Sequence, residues 1–503
     1  MTVRTFSALT RALPLVLLLA VACGSDPVLT GAAAPGGGGV QSGDGSRPDA
    51  AAPGTSVASG PARDRGASPD KTSGDGKPCV GLQCQQVACP AGASTTVSGT
   101  VYDPAGKNPL YNIAVYVPND AVQPLPSGAT CDNCANLYTG SPIASALTDA
   151  AGKFRLENAP AGVDIPLVVQ VGKWRRQFKL ATVAACQDNP QADKLLRLPR
   201  NRSEGDIPNI AVSTGGSDTL ECLLRRVGVD ASEFVPGGSP QGRVQIFQGH
   251  SDKDSGDVST APNTAPPAPR SFAALWNSVD SLLRFDIVLL SCEGEETQHM
   301  NQQALHDYAD MGGRVFASHY HYAWFNTGPY ANENLATWKK GGNDIGKINA
   351  EIVTTLSSGQ PFVKGQALQS WLGTVGALQN GKLPIEDAKH NADISAANMP
   401  SQTWIVADQE AKAPSAVQYF SFNTPTTPTV GADFAAGTCG RVVFSDLHVG
   451  AASGDEPKQP VPQSCADDEL SPQEKALEFM LFDLSSCITP DTGTPTPPPI
   501  IAI

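Results

Sequence analysis

Phe285-Asp-Ile-Val-Leu-Leu290 decides the fold of the longer half of this 503-residue chain. A strand with one wet face alternates apolar and polar residues. Ile287 to Leu290 is apolar at every position, as expected of a strand covered on both faces. Downstream, Leu305, Tyr308 and Ala309 share one face of a helix, and Gly312-Gly313 supplies its stop. Arg314-Val-Phe-Ala-Ser318 then reads as the next strand. Working outward, Val244-Gln-Ile-Phe-Gln248 precedes, ending at Gly249-His250, and Val417–Phe422 and Arg441–Ser445 follow. Ser471-Pro-Gln-Glu474 is a capping box with Pro at the first helical position. It opens a last helix whose buried face should carry Leu477, Met480, Leu481 and Leu484. Strands alternating with helices predict a doubly wound α/β domain over 243–487. An insertion at 323–415, with Trp324, Trp338, Trp371 and Trp404, is placed to cover the sheet edge. Nothing resembles eight βα repeats, so a TIM barrel is not expected.

The preceding residues have period two. Val97, Gly99 and Val101 alternate with polar neighbours, as do Ile113, Val115 and Val117, with Asp103-Pro-Ala-Gly106 and Asp149-Ala-Ala-Gly152 turns between strands. The fold class is therefore multidomain: an antiparallel β-sandwich over 78–200, a linker over 201–242, then the α/β domain. Residues 23–77 are rich in Gly, Ala, Pro and Ser and read as a disordered tether; 488–503 read as a Pro/Thr-rich tail. Residues 1–22, with Arg4 and Arg11 ahead of an apolar stretch from Leu13, read as a signal peptide.

Three resemblances follow from these residues. Leu19-Ala-Val-Ala-Cys23 resembles the lipobox of bacterial lipoproteins, which implies lipidation of Cys23 and a membrane partner reached through that lipid. Gly24 and Ser25 lack the aspartate that marks inner-membrane retention, so outer membrane or cell surface is expected. The segments Val97–Gly106, Pro109–Ile113, Thr148–Phe154 and Ala159–Gly162 resemble the carboxypeptidase regulatory-like (transthyretin-like) domain, an accessory sandwich without catalytic zinc. Phe285–Leu290, Tyr308–Phe316 and Gly440–His448 resemble the class I glutamine amidotransferase-like superfamily, in its ThuA-like branch, which implies a flavodoxin-like sheet.

A formal net charge of −14 repels phosphate backbones, which excludes nucleic acid as a natural partner. In an exported chain, Cys79, Cys84, Cys89, Cys131, Cys134, Cys186, Cys222, Cys292, Cys439, Cys465 and Cys487 are disulfide candidates rather than zinc ligands. Their odd number leaves one thiol over, and Cys292 is expected to pair with a neighbour such as Cys222.

Ligands of open α/β sheets bind outside the carboxyl ends of the strands. His250, Cys292, Glu293, His319, His321, Asp446 and His448 fall there. Active amidotransferases carry a Gly-x-Cys-x-Gly turn where this chain has Ala317-Ser-His-Tyr320, so amidotransferase catalysis is not implied. The candidates for catalysis are His319, His321, His448 and Ser318; for ligand binding, His250, Glu293 and Asp446. No cofactor is predicted, with zinc at His250, His319, His321 and His448 left open. The expectation is an envelope lipoprotein with a binding or structural role, its partner a carbohydrate or an envelope protein. The alternative is an envelope hydrolase of carbohydrate or amide substrates using those histidines.

Overall fold

The structure, a computed structural model, describes residues 79–249, 270–296, 301–427, 437–449, 465 and 468–500, apart from positions 133, 216, 272 and 492. The expected signal peptide and tether lie outside the described residues, as do Cys23 and His250. The described residues belong to one compact unit, Ala67–Ile503.

Its first part is two four-stranded sheets made from β1 (Thr96–Tyr102), β2 (Ala114–Pro118), β3 (Pro142–Leu147), β4 (Lys153–Leu156), β5 (Gly162–Val171), β6 (Trp174–Val183), β7 (Asp188–Pro190) and β8 (Leu196–Arg197). One sheet runs β4-β1-β7 with β8 also on β1; the other runs β3-β2-β5-β6. Val97, Val101, Leu156, Val115, Val117, Leu167 and Val169 fill the space between them, as alternation requires. The sandwich is not wholly antiparallel, because β7 and β8 both join β1 in parallel.

The second part is an eleven-stranded mixed sheet. Its parallel strands are β9 (Ile210–Ser213), β10 (Phe234–Pro236), β11 (Val244–Gln248), β12 (Arg270–Ser271), β13 (Ile287–Leu290), β14 (Arg314–Ser318) and β21 (Gly440–Ser445). The antiparallel strands are β16 (Asp344–Ile352), β17 (Leu383–Lys389), β19 (Gln402–Ala407) and β20 (Val417–Thr424); β15 (Thr337–Trp338) and β18 (Ala392–Asp393) form a separate ribbon. The order is β10-β11-β9-β13-β14-β21-β20-β19-β16-β17, with β12 on β11.

Each central strand sends alternate residues to opposite faces. Val288, Leu290, Val315, Ala317, Val442 and Phe444 pack under α2 (Gln302–Asp310) with the aromatics of the insertion. Ile287, Leu289, Phe316 and Val443 pack with α1 (Leu220–Val227), α3 (Val363–Thr374) and α4 (Pro472–Ser485). This explains why the run from Ile287 has no polar position.

Two expected boundaries are corrected. Residues 201–242 are not a linker: they supply α1, β10 and β9, the strand between β11 and β13. Ile210, Ala211, Val212 and Ser213 are all buried, too short a run to stand out from a loop. The tail is also partly structural. Asp491 is buried, where it pairs with Arg441 and accepts a hydrogen bond from Ser421, and Ser145 of the sandwich donates to the Pro498 carbonyl. The insertion does extend the sheet, by adding β16, β17 and β19 beside β20.

The sandwich and the α/β part share one apolar cluster with α4 between them. Trp174 meets Phe482 edge-on at 5.9 Å, and Tyr111 stacks on Phe479 at 5.6 Å between ring centroids. Gly172 has φ +52°, and a Cβ there would lie 1.8 Å from the Ser485 carbonyl, so only glycine permits this approach. The capping box forms as read: Ser471 Oγ accepts from the Glu474 amide, and Glu474 Oε2 accepts from the Ser471 amide. Burial is wider than the expected stripe, since Glu478 and Asp483 are buried too.

Cysteine pairing fixes the same junction. Cys131–Cys439 and Cys134–Cys487 tie one sandwich loop to the α/β part; Cys89–Cys186 and Cys79–Cys84 lie at the sandwich, and Cys222–Cys465 joins α1 to the segment before α4. Five disulfides place this fold in an oxidising compartment rather than the cytoplasm. Among the described residues no helix is long and apolar enough to cross a membrane.

Candidate functional site

Cys292 corrects an expectation and locates the site. Its expected partner Cys222 is bonded to Cys465, so Cys292 is the buried free thiol of the described residues. It follows β13 by two residues, at the carboxyl edge of the sheet, and its side chain is fully buried.

His319 follows β14 directly, and its Nδ1 lies 3.4 Å from Cys292 Sγ. Its backbone has φ +42°, the left-handed region, because the chain leaves the strand there to enter a 3-10 turn, His319–Trp324. The other ring nitrogen, Nε2, is 3.0 Å from the Gly342 carbonyl, which fixes the ring.

His448, three residues beyond β21, completes the group. Its ring centroid is 5.0 Å from that of His319. One potential ligand atom from each of Cys292, His319 and His448 falls within 4.8 Å of the other two. His448 Nδ1 is 3.1 Å from Asp387 Oδ2, and Asp387 Oδ1 accepts from Lys389 at 2.7 Å. Asp387 and Lys389 sit two apart on β17 and so share a face.

The electrostatics differ sharply between the two imidazoles. Burial, reinforced by His448, pushes His319 down to about 3 and keeps it neutral. Burial also opposes charge on His448, but its hydrogen bond to Asp387 and the proximity of Cys292 and Asp218 outweigh it and raise its pKa well above the ordinary value. The His448 hydrogen bond in turn holds Asp387 well below the usual carboxylate range, with help from Lys389. Burial pushes Asp446 up to about 7, although its Oδ2 accepts from the Asn391 amide at 2.7 Å.

The other sequence candidates occupy supporting places. His321 is buried, with Nδ1 3.0 Å from the Ser318 carbonyl, and it is not in the converging group. Two histidines two apart would share a face only if the strand ran on through both. β14 ends at Ser318, and in a 3-10 turn residues two apart lie about 240° apart around the axis. Ser318 Oγ donates to the Leu290 carbonyl at 3.2 Å and cross-links two strands. Glu293 is buried beside Cys292, its Oε1 close over Gly249, where a Cβ would stand 2.7 Å from it. Asp446 is fully buried at the end of β21. His250 lies outside the described residues.

Asp387 and Lys389 were not legible in the sequence as site residues. Leu383–Lys389 is a half-buried strand, and Asp387 comes over His448 through a bridge between Ala388 and Leu447 in which the Lys389 amide donates to the Asp446 carbonyl at 3.0 Å.

The chain has no match among family models and none among curated proteins. Among solved structures, a C-terminal interface mutant of a type II cohesin–X-dockerin complex from Acetivibrio cellulolyticus is similar at 16% identity, over 29% of this chain and 79% of that one, with a TM-score of 0.14. A 9R-lipoxygenase from Cyanothece PCC8801 is similar at 17% identity, over 22% of this chain and 16% of that one, with a TM-score of 0.11. Superpositions this loose leave the reading of the site to its own geometry.

Proposed function

We propose that this chain is a lipid-anchored protein of the cell envelope, tethered through Cys23 and residues 24–77, that holds a flavodoxin-like, amidotransferase-like domain and a carboxypeptidase regulatory-like sandwich as one rigid body. The observation that carries the reading is the lipobox-like Leu19–Cys23 followed by a low-complexity tether, in a chain whose fold is stapled by disulfides. Its role is binding at the carboxyl edge of the parallel strands, without amidotransferase chemistry: the end of β14 carries Ser318-His319, and Ser318 is bonded to a backbone carbonyl. Mass spectrometry of the mature protein tests the anchor. A diacylglyceryl-modified Cys23 at the N-terminus is expected, and Cys23→Ala should release the protein from membranes; an unmodified terminus elsewhere overturns it.

One observation favours a second reading, an envelope hydrolase. Cys292, His319, His448 and Asp387 come from three separate strand ends and one distant edge strand, yet Cys292 meets His319 at 3.4 Å, His448 meets Asp387 at 3.1 Å, and the first three offer ligand atoms within 4.8 Å of one another. Hydrolysis of amide or glycoside substrates by the exported protein, lost in His448→Ala and kept in Ser318→Ala, supports this reading. Absence of such activity in the intact protein leaves the binding role alone.

A further inference from the structure

We propose that Cys292, His319 and His448 form a zinc site whose three ligands among the described residues leave one position for water or a bound ligand. The inference deepens the reading of the carboxyl edge as the functional site and is independent of the lipid anchor. Zinc takes sulfur at about 2.3 Å and imidazole nitrogen at about 2.0–2.1 Å in tetrahedral geometry, which sets neighbouring ligand atoms roughly 3.4–3.6 Å apart. Cys292 Sγ and His319 Nδ1 are 3.4 Å apart, and the ligand atom of His448 lies within 4.8 Å of both.

The second observation is how the two rings are held. A ligating histidine uses one nitrogen for the metal and gives the other to a carboxylate or carbonyl, which fixes tautomer and orientation. Both rings already do this. His319 Nε2 is at the Gly342 carbonyl, which leaves Nδ1 toward the sulfur. His448 Nδ1 is at Asp387, which leaves Nε2; that atom is buried and makes no hydrogen bond of good geometry among the described residues. A buried nitrogen without such a bond costs free energy that a metal bond would recover. All three residues are at most 3% exposed, so the ligands are arranged without further folding.

The donor set excludes hard cations: magnesium and calcium require oxygen, whereas one thiolate and two imidazoles suit zinc or copper. Cys292 enters as the thiolate and both histidines as neutral imidazoles, so binding releases to solvent the Cys292 proton and the proton that His448 holds. Three protein ligands and an open fourth position are the pattern of reactive zinc centres, where four protein ligands mark structural ones.

The test uses the mature exported protein, dialysed against chelator and reloaded with zinc, and measures metal content and affinity. One zinc per chain is expected, with at least about a 100-fold loss of affinity in Cys292→Ser and His319→Ala. Asp387→Asn, which leaves every ligand in place, should weaken binding by about 10–100-fold. Cobalt loading should give a sulfur-to-cobalt charge-transfer absorption that Cys292→Ser abolishes, and disulfide-intact circular dichroism spectra show that the variants are folded. A folded wild type that takes up no stoichiometric zinc overturns the proposal. So does uptake that survives both ligand substitutions, or exported protein that is isolated with copper in place of zinc and shows an intense thiolate-to-copper band. None of these results depends on activity or on where the protein is anchored.

Discussion

Several buried carboxyls of this protein are held on the protonated side by burial. Glu221 on α1 is fully buried and pushed up to about 8, Asp446 to about 7, and Asp103 to about 6. In each case the folded-state pKa is raised, so the folded chain holds protons that the unfolded chain has lost. Their contribution to stability is fully present below about pH 4, the ordinary carboxylate range, and is lost progressively as pH rises through 6 to 8. Glu221→Gln removes the titration while keeping the shape. At pH 5 its stability should match the wild type, and at pH 8 it should exceed it by about 2 kcal/mol or more, since one pKa unit is worth about 1.4 kcal/mol. Urea denaturation at both pH values measures this. A variant less stable than wild type at pH 8 would contradict it. At this same scale the sequence was informative about where chemistry sits and poor at saying which atoms meet. The strand-end rule brought out His319, His448 and Asp446, because the rule concerns backbone topology. It could not show that Cys292 stays reduced, because disulfide partners depend on distances in the finished fold. Nor could it show that His321 turns away, because one residue of strand more or less decides that.

Among the elements, α4 is the one on which both halves rest. It lies between the sandwich and the sheet, and its residues from Gln473 to Ser485 are nearly all buried. A helix apolar on one stripe needs one partner surface; a helix buried all round needs two. That is why reading Leu477, Met480, Leu481 and Leu484 as its inner face captured only half of its role. Phe479 and Phe482 look outward from the sheet, toward Tyr111 and Trp174. Glu478 accepts from Asn108 of the sandwich at 2.7 Å, so even its buried acid serves the junction. Phe482→Ala should cost about 3–5 kcal/mol, the range for emptying a buried aromatic site. Ser471→Ala, which removes the cap, should cost about 1 kcal/mol. Chemical denaturation of both variants checks the order. A Phe482→Ala loss under about 1 kcal/mol would mean that the site collapses freely and that α4 is no keystone. The capping box was readable because it is local, four residues in a row. The second buried face was not, because its partner surface lies more than three hundred residues earlier.

For the whole molecule, the expected beads on a string become one body. A linker would have let the two parts move independently, yet residues 201–242 enter the sheet and α4 bonds to both parts. Lys173 of the sandwich is buried against Asp286 of the α/β part at 2.7 Å and against the Gly128 carbonyl at 2.7 Å. Two disulfides then close loops of sequence separation 308 and 353. Long loops are where a cross-link restricts the unfolded chain most, with typical contributions of about 2–4 kcal/mol each. Two consequences follow for unfolding. The intact protein should unfold in one cooperative step, with tryptophan fluorescence and far-ultraviolet circular dichroism giving the same midpoint, because separate cores would melt separately. Replacing Cys131 and Cys134 together by serine should lower the midpoint of that step. The transition should stay single, since the apolar cluster across α4 survives the loss of both bonds. Two resolved transitions in the intact protein would show that the parts fold independently and that the junction is only a contact. Two transitions in the serine variant alone would show that the disulfides, rather than α4, make the halves cooperative.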